Sequence, residues 1–128
     1  LLGSATEGTN RMETKDANGY QMVKELFAKP IDYTAIFAST DSNALGILKA
    51  ADELHIRIPG DLSLIGFDNI PSTALPRIDL TTIEQPKKEM AVQAVDMLLD
   101  KIEKGTQGYV HQILMPSLVQ RGTCRSLT

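Results

Sequence analysis

The sequence predicts an α/β protein built on a doubly wound, mainly parallel sheet. Three observations carry that reading. Two short apolar runs, Ala35-Ile36-Phe37-Ala38 and Leu62-Ser63-Leu64-Ile65-Gly66-Phe67, each end at an aspartate, Asp41 and Asp68. A single amphipathic segment lies between them, so strand, helix and strand follow one another as a crossover unit. Both runs are apolar at consecutive positions rather than alternating, the pattern of strands covered on both faces.

The other elements follow in chain order. Residues 1–5 read as the tail of a strand, and the polar stretch 6–11 as a loop. A helix is expected over 16–28, because Met22, Val23, Leu26 and Phe27 recur three and four apart. Gly19 weakens its first turn by about 1 kcal/mol relative to alanine. Lys29-Pro30 stops it, since the residue before proline avoids helical geometry. The strand 34–39 leads into a helix over 42–55 with Leu45, Leu48, Ala51 and Leu54 at core-facing spacing. Ile58-Pro59-Gly60-Asp61 forms a turn before the strand 62–67. Pro71 and Pro76 leave 69–78 irregular or with one short helical turn, and Leu80 to Glu84 is β-branched and strand-like.

Pro86 suits the first position of a helix that runs to Lys104 and stops at Gly105. Met90, Ala94, Leu98 and Ile102 form its stripe, with Val95 and Leu99 beside it, and Met90 and Met97 read as core. Residues 109–115 and 117–120 read as two short strands split by Pro116, and the polar tail 121–128 is expected to fray.

With 128 residues, 42% hydrophobic and 23% charged, the chain has one domain's worth of sequence and an ordinary globular composition. The net charge of −3 and the lack of a basic run argue that this stretch does not bind nucleic acid by itself. Cys124 is the sole cysteine, which fits a reducing compartment. No apolar run approaches the roughly 20 residues needed to span a bilayer. The opening Leu1-Leu2-Gly3-Ser4-Ala5 has no signal-peptide character, and the chain is expected to be a piece of a longer protein.

In open α/β sheets ligands bind outside the carboxyl ends of the strands. Thr40, Asp41, Asp68 and Asn69 would all occupy that edge. A carboxylate there accepts hydrogen bonds from neighbouring hydroxyls, which is how proteins hold sugars. Asp41 also suits a helix N-cap, worth about 1 kcal/mol. Asp68 has no good helix directly after it, because of Pro71, so a cleft role is the stronger reading. Gln85 stands between a strand and a helix and can cap that helix or reach a ligand. Arg11 could clamp a ligand with its planar fork or stay solvated in its loop. His55 ends a helix, His111 lies in a strand, and the two have no metal-site spacing with Cys124. No phosphate loop or nucleophile elbow occurs, and no cofactor is expected. Lys87-Lys88 reads as a solvated helix start.

Four stretches together resemble one family. They are Ala38-Ser39-Thr40-Asp41-Ser42-Asn43-Ala44-Leu45-Gly46, Ile58 to Asn69 around Gly66-Phe67-Asp68-Asn69, Leu80-Thr81-Thr82-Ile83-Glu84-Gln85-Pro86, and the closing Leu114 to Thr123. The sequence resembles the effector-binding core of LacI/GalR-type transcriptional regulators from about Gly19 to Thr123. The resemblance implies a periplasmic-binding-protein-like fold of two lobes with a ligand between them. The whole of 1–128 would be a fragment of that domain. Residues 1–85 and 117–123 would belong to the C-terminal lobe, and 86–116 would pack in the N-terminal lobe.

The position of Asp68 would then hold sugar hydroxyls, and Gln85 would sit at the lobe junction. The position of Thr40 is usually asparagine in that family, and an early-loop arginine, here Arg11, often contacts the ligand. Ser42, Leu45 and Leu48 on one helix, with Ser72 and Leu75 in the following loop, resemble the dimerisation surface. DNA would be bound through a headpiece outside this chain, by a cytoplasmic homodimer without a membrane segment. The sequence leans towards maltose-type regulators of Gram-positive bacteria. Two other readings stay open: an extracytoplasmic sugar-binding protein of the same fold, and a small α/β enzyme using Asp41 and Asp68 as acid and base.

Overall fold

The computed structural model describes residues 15–30, 32–105 and 108–128. The expected strand at 1–5 and the loop carrying Arg11 lie outside the described residues. Helix α1 (Lys15–Phe27) leads to β1 (Ala35–Phe37), α2 (Asp41–Glu53) and β2 (Ser63–Phe67). A 3-10 turn at Pro71–Ala74 precedes β3 (Thr81–Glu84), α3 (Lys87–Lys104) and β4 (Ser117–Val119). The sheet order is β1-β2-β3-β4. The first three strands run parallel, with Ile36 opposite Leu64 and Gly66 opposite Thr82. β4 is antiparallel, with Ile83 opposite Leu118.

The core lies between the sheet and the α1–α2 pair. Val23, Ala38, Ala44, Ile47, Ala50, Leu64 and Leu80 form its buried cluster, with Tyr20, Phe27, Ile36 and Leu48 packed against it. α2 therefore buries Ala44, Ile47, Ala50 and Ala51, a face turned from the expected leucine stripe. Of that stripe Ala51 is buried, Leu45 and Leu48 are half-buried and Leu54 is exposed. The reason is spacing: small residues let α2 come close to its neighbours, and the leucines flank the contact. The same closeness explains Gly19, where a Cβ would meet the Asn43 backbone.

His55, rather than a glycine, takes the left-handed position (φ 57°) after α2. The His55 and Ile56 N–H groups donate to Asp52 and Ala51 carbonyls at 3.1 and 2.8 Å, closing the helix.

Among the described residues the sheet is covered on one face, not on both as the apolar runs predict. Leu64 and Gly66 are buried towards the helices, Ile65 and Phe67 are half-buried, and Phe37 is 61% exposed. The physical reason is that α1 and α2 share one side of the sheet. α3 has no buried residue, and Met90 of the expected Met90–Met97 core pair is exposed. Residues 109–115 form no strand, because β3 finds its antiparallel partner only from Ser117 onward.

The tail does not fray as its polarity suggests. Leu64 lies one residue before the β2–β3 pairing begins at Ile65 and Thr81, so its backbone has no strand partner on that side. Thr123 takes that place. Its carbonyl accepts from Leu64 N–H at 2.8 Å, and its hydroxyl donates to the Leu64 carbonyl at 2.7 Å. The same hydroxyl accepts from Thr81 N–H at 2.8 Å.

The Arg57 guanidinium and backbone N–H hold Asp61 across the turn. They lower its carboxyl from 3.8 to about 2. The folded state thus binds that proton less readily than the unfolded chain, and stability rises with pH through this window. The contribution is complete above the ordinary carboxylate value and disappears as pH falls through the folded one. Acid unfolding of Asp61→Asn is expected to lack that component. Superimposable wild-type and variant stability profiles between about pH 4 and 2 would show that the pair contributes nothing.

Candidate functional site at the carboxyl edge of the sheet

Because β1, β2 and β3 are parallel, their carboxyl ends face one way. Thr40 and Asp41 follow β1, Asp68 and Asn69 follow β2, and Gln85 follows β3. The edge predicted from the sequence is thus assembled, but its residues divide the work differently.

Thr40 is the N-cap of α2: its Oγ1 accepts from Asn43 N–H at 3.2 Å. Asp41 is the first helical residue and is not the cap. Its side chain is fully buried, and both oxygens are engaged. Oδ1 accepts from the Thr82 hydroxyl at 2.5 Å, and Oδ2 from Ile70 N–H at 2.8 Å. Its place in the first turn of α2 also favours a negative charge. A Cβ at position 66 would collide with Asp41 Oδ1, so Gly66 makes room for the carboxylate. Asp41 joins β1's helix to β2's loop and to β3, and offers no surface to a ligand.

Asp68 stands at φ 116°, a left-handed conformation that side chains rarely adopt, and Asn69 follows at φ 49°. Such backbone persists only where surrounding bonds determine it, and it concentrates at ligand sites. Asp68 is half-buried, and its Oδ1 accepts from Gln85 Nε2 at 2.7 Å. Gln85 therefore reaches the acid and is not the helix cap: Pro86 precedes α3 with no side-chain cap bond. Lys87, read from sequence as solvated, donates from Nζ to the Asp68 backbone carbonyl.

In the sequence Arg121 stands in the polar tail and in the closing stretch 114–123, with no role of its own. Its Nη1 donates to the Thr73 hydroxyl at 3.1 Å and the Leu80 carbonyl at 2.8 Å, and its Nη2 to Asn69 Oδ1 at 2.8 Å. It fixes Asn69 directly beside Asp68. The one available signal is an arginine two residues before a threonine in the closing motif, which gives no hint of the partners 41–52 residues away.

A cavity of about 240 Å³ lies beside this edge, walled by Phe67, Gln85, Pro86, Met90, Gln112, Leu114 and Pro116. A wider groove of about 810 Å³ runs from Gln85 along Lys87 and Val92 to Met115 and Ser117. Among the described residues no group of three His, Cys, Asp or Glu could hold a metal ion, and no helix is long and apolar enough to cross a membrane. Of the residues resembling a dimer surface, Ser42, Leu45, Leu48 and Ser72 are half-buried and Leu75 is exposed, so Leu48 also serves the core.

Residues 2–124 match the periplasmic binding protein-like domain. The chain is 38% identical over 112 residues to the HTH-type transcriptional regulator MalR of Clostridium butyricum, covering 88% of the chain and 33% of that protein. It is 38% identical over 104 residues to the HTH-type transcriptional repressor PurR of Escherichia coli, covering 81% and 30%. It therefore spans about a third of these relatives. A LacI-family regulator of Corynebacterium glutamicum superimposes with a TM-score of 0.75 at 38% identity, over 85% of this chain and 42% of that one. A LacI-family regulator of Enterococcus faecalis with bound ribose gives 0.81 at 31%, over 91% and 43%. The CelR–cellobiose complex gives 0.79 at 25%, over 84% and 33%.

An open sheet whose parallel strands deliver polar groups to one edge, matched over nearly its whole length, is a periplasmic-binding-protein-like domain. Within that class the chain belongs to the LacI family of transcriptional regulators.

Proposed function

We propose that this chain is the greater part of one lobe of an effector-sensing domain in a cytoplasmic, DNA-binding regulator. Its effector is a sugar or a similar small polar molecule. The observation that carries the reading is Asp68: a carboxylate on a strained turn at the carboxyl edge, with one oxygen oriented by Gln85 and the other left to accept hydroxyl protons. Gln85 shares the ligand, and Thr40 stands nearby as the cap of α2. Arg11 belongs to the same proposal as a clamp. Asp41 serves as an internal brace. Its full burial argues against the acid–base enzyme, which needs two accessible carboxylates.

Ser42, Leu45, Leu48, Ser72 and Leu75 form the homodimer surface in this reading. Residues 86–116 pack in a second lobe, and 1–85 with 117–123 form this one. The exposure of Leu98, Leu99 and Ile102 along α3 supports that division, since an apolar stripe of this length is seldom left in water. A ligand held between two lobes alters DNA binding only through a difference in its affinity for open and closed forms.

The full chain is to be titrated with a panel of mono- and disaccharides by calorimetry, alongside a gel-shift assay on DNA from its own promoter. One sugar is expected to bind and to change the DNA affinity. Sugar binding with no DNA binding under any condition would favour the extracytoplasmic carrier and remove the regulator reading. For the division of lobes, the 128-residue chain alone is expected to self-associate in sedimentation and to bind a hydrophobic dye. The pair Leu98→Lys and Ile102→Lys is expected to suppress both. A monomeric, dye-silent wild-type fragment would show that α3 needs no partner.

A further inference from the structure

Besides the Gln85 bond to the Asp68 carboxylate and the Arg121 bond to Asn69, four bonds reach the turn that carries Asp68 from the strands and helices around it. Asp68 N–H donates to the Ile83 carbonyl at 2.9 Å. Asn69 N–H donates to Thr82 Oγ1 at 3.4 Å, and Ile70 N–H to Asp41 Oδ2 at 2.8 Å. The fourth runs from Lys87 Nζ to the Asp68 carbonyl. The first three come from the strand β3 and the buried brace at Asp41. The fourth comes from an exposed side chain on the first residue of α3.

Its placement is specific. Lys87 N–H donates to the Gln85 carbonyl at 2.7 Å, which folds Gln85-Pro86-Lys87 into a tight link. Gln85 then holds the Asp68 side chain while Lys87 holds its main chain. An ammonium on a carbonyl is a charge-assisted bond, stronger than a neutral one. It fixes the peptide plane that follows a residue at φ 116°. With that plane fixed, the carboxylate direction follows from one side-chain torsion and the Gln85 bond.

We propose that Lys87 is a positioning residue for the Asp68 carboxylate: it locks the strained Asp68 turn and ties the start of α3 to it. The part concerning ligand rests on the reading of Asp68 given above; the part concerning the turn does not. The experiment uses the full chain and two variants, Lys87→Met and Lys87→Arg. In ligand-free protein, amide hydrogen exchange at Asn69 and Ile70 is expected to be about tenfold faster in Lys87→Met, by loss of one net hydrogen bond. It is expected to stay at the wild-type rate in Lys87→Arg. Ribose and cellobiose are then titrated as probes. Whichever binds the wild type is expected to bind Lys87→Met about tenfold more weakly, with a melting temperature lowered by only a few degrees, and Lys87→Arg normally.

Unchanged exchange in Lys87→Met, or equal losses in both variants, overturns the proposal. If Asp68→Asn leaves sugar binding intact, the ligand reading of Asp68 falls, while the exchange rates still decide whether Lys87 holds the turn.

Discussion

Asp68→Asn is expected to weaken effector binding by about a hundredfold or more. A carboxylate accepting two sugar hydroxyls makes charge-assisted bonds worth about 1.5–3 kcal/mol each. Losing the charge and one acceptor together removes about 3–5 kcal/mol, and each 1.4 kcal/mol is tenfold in affinity. Asparagine is preferable to alanine because the backbone is at φ 116°. Asparagine tolerates that region better than most residues, so the fold is retained and the loss reports on the ligand. Asp68→Ala should lose the effector response as well, with an added cost in stability. Calorimetric titration of the full chain with its responding sugar measures this. Wild-type affinity in Asp68→Asn would remove Asp68 from the site.

The second large effect falls on stability rather than binding. Asp41→Ala is expected to destabilise the domain by about 2–5 kcal/mol in denaturant unfolding. The change leaves the buried Thr82 hydroxyl and the part-buried Ile70 N–H without their acceptor, at about 1–3 kcal/mol each. Against a total of about 5–15 kcal/mol for a domain of ordinary stability, that loss threatens folding. Thr82→Val with Asp41→Asn forms the matching double-mutant cycle, and the two sites should couple, since they share one hydrogen bond. A loss below about 0.5 kcal/mol, the range of a neutral surface change, would mean that Asp41 braces nothing.

These two aspartates look alike in the sequence. Each follows an apolar run, and each precedes a polar stretch. Their different fates arise from partners far along the chain. Asp41 meets Ile70 and Thr82, which are 29 and 41 residues away. Gly66, almost as distant in the sequence, makes room for the Asp41 carboxylate by lacking a Cβ. Nothing local distinguishes that glycine from one that merely loosens a strand. Thr40 shows the opposite case. Its capping of α2 is a local matter of three residues, yet the adjacent aspartate was the more conspicuous cap by residue type.

α2 shows how periodicity reaches its limit. A helical pattern reveals that one face is buried, and Leu45, Leu48 and Leu54 gave the most conspicuous apolar stripe. The buried face is instead lined by Ala44, Ala50 and Ala51 with Ile47, because two helices crossing at Gly19 favour small residues at the contact. The tail shows another limit. Its polar threonines and arginines read as solvated, whereas Thr123 and Arg121 satisfy backbone groups that no strand reaches.

By itself the sequence determined the order and type of the elements from α1 to α3, though not the strand it led one to expect at 109–115, together with a mainly parallel sheet and the placing of polar residues just past its strands. Periodicity, turn residues and the apolar runs act over a few neighbouring positions, so they survive in a linear reading. Only the tertiary structure decided which polar groups are consumed internally and which are left for a ligand. That choice depends on hydrogen-bond partners brought together across the sheet, and on the strained backbone that only those partners, acting together, can hold.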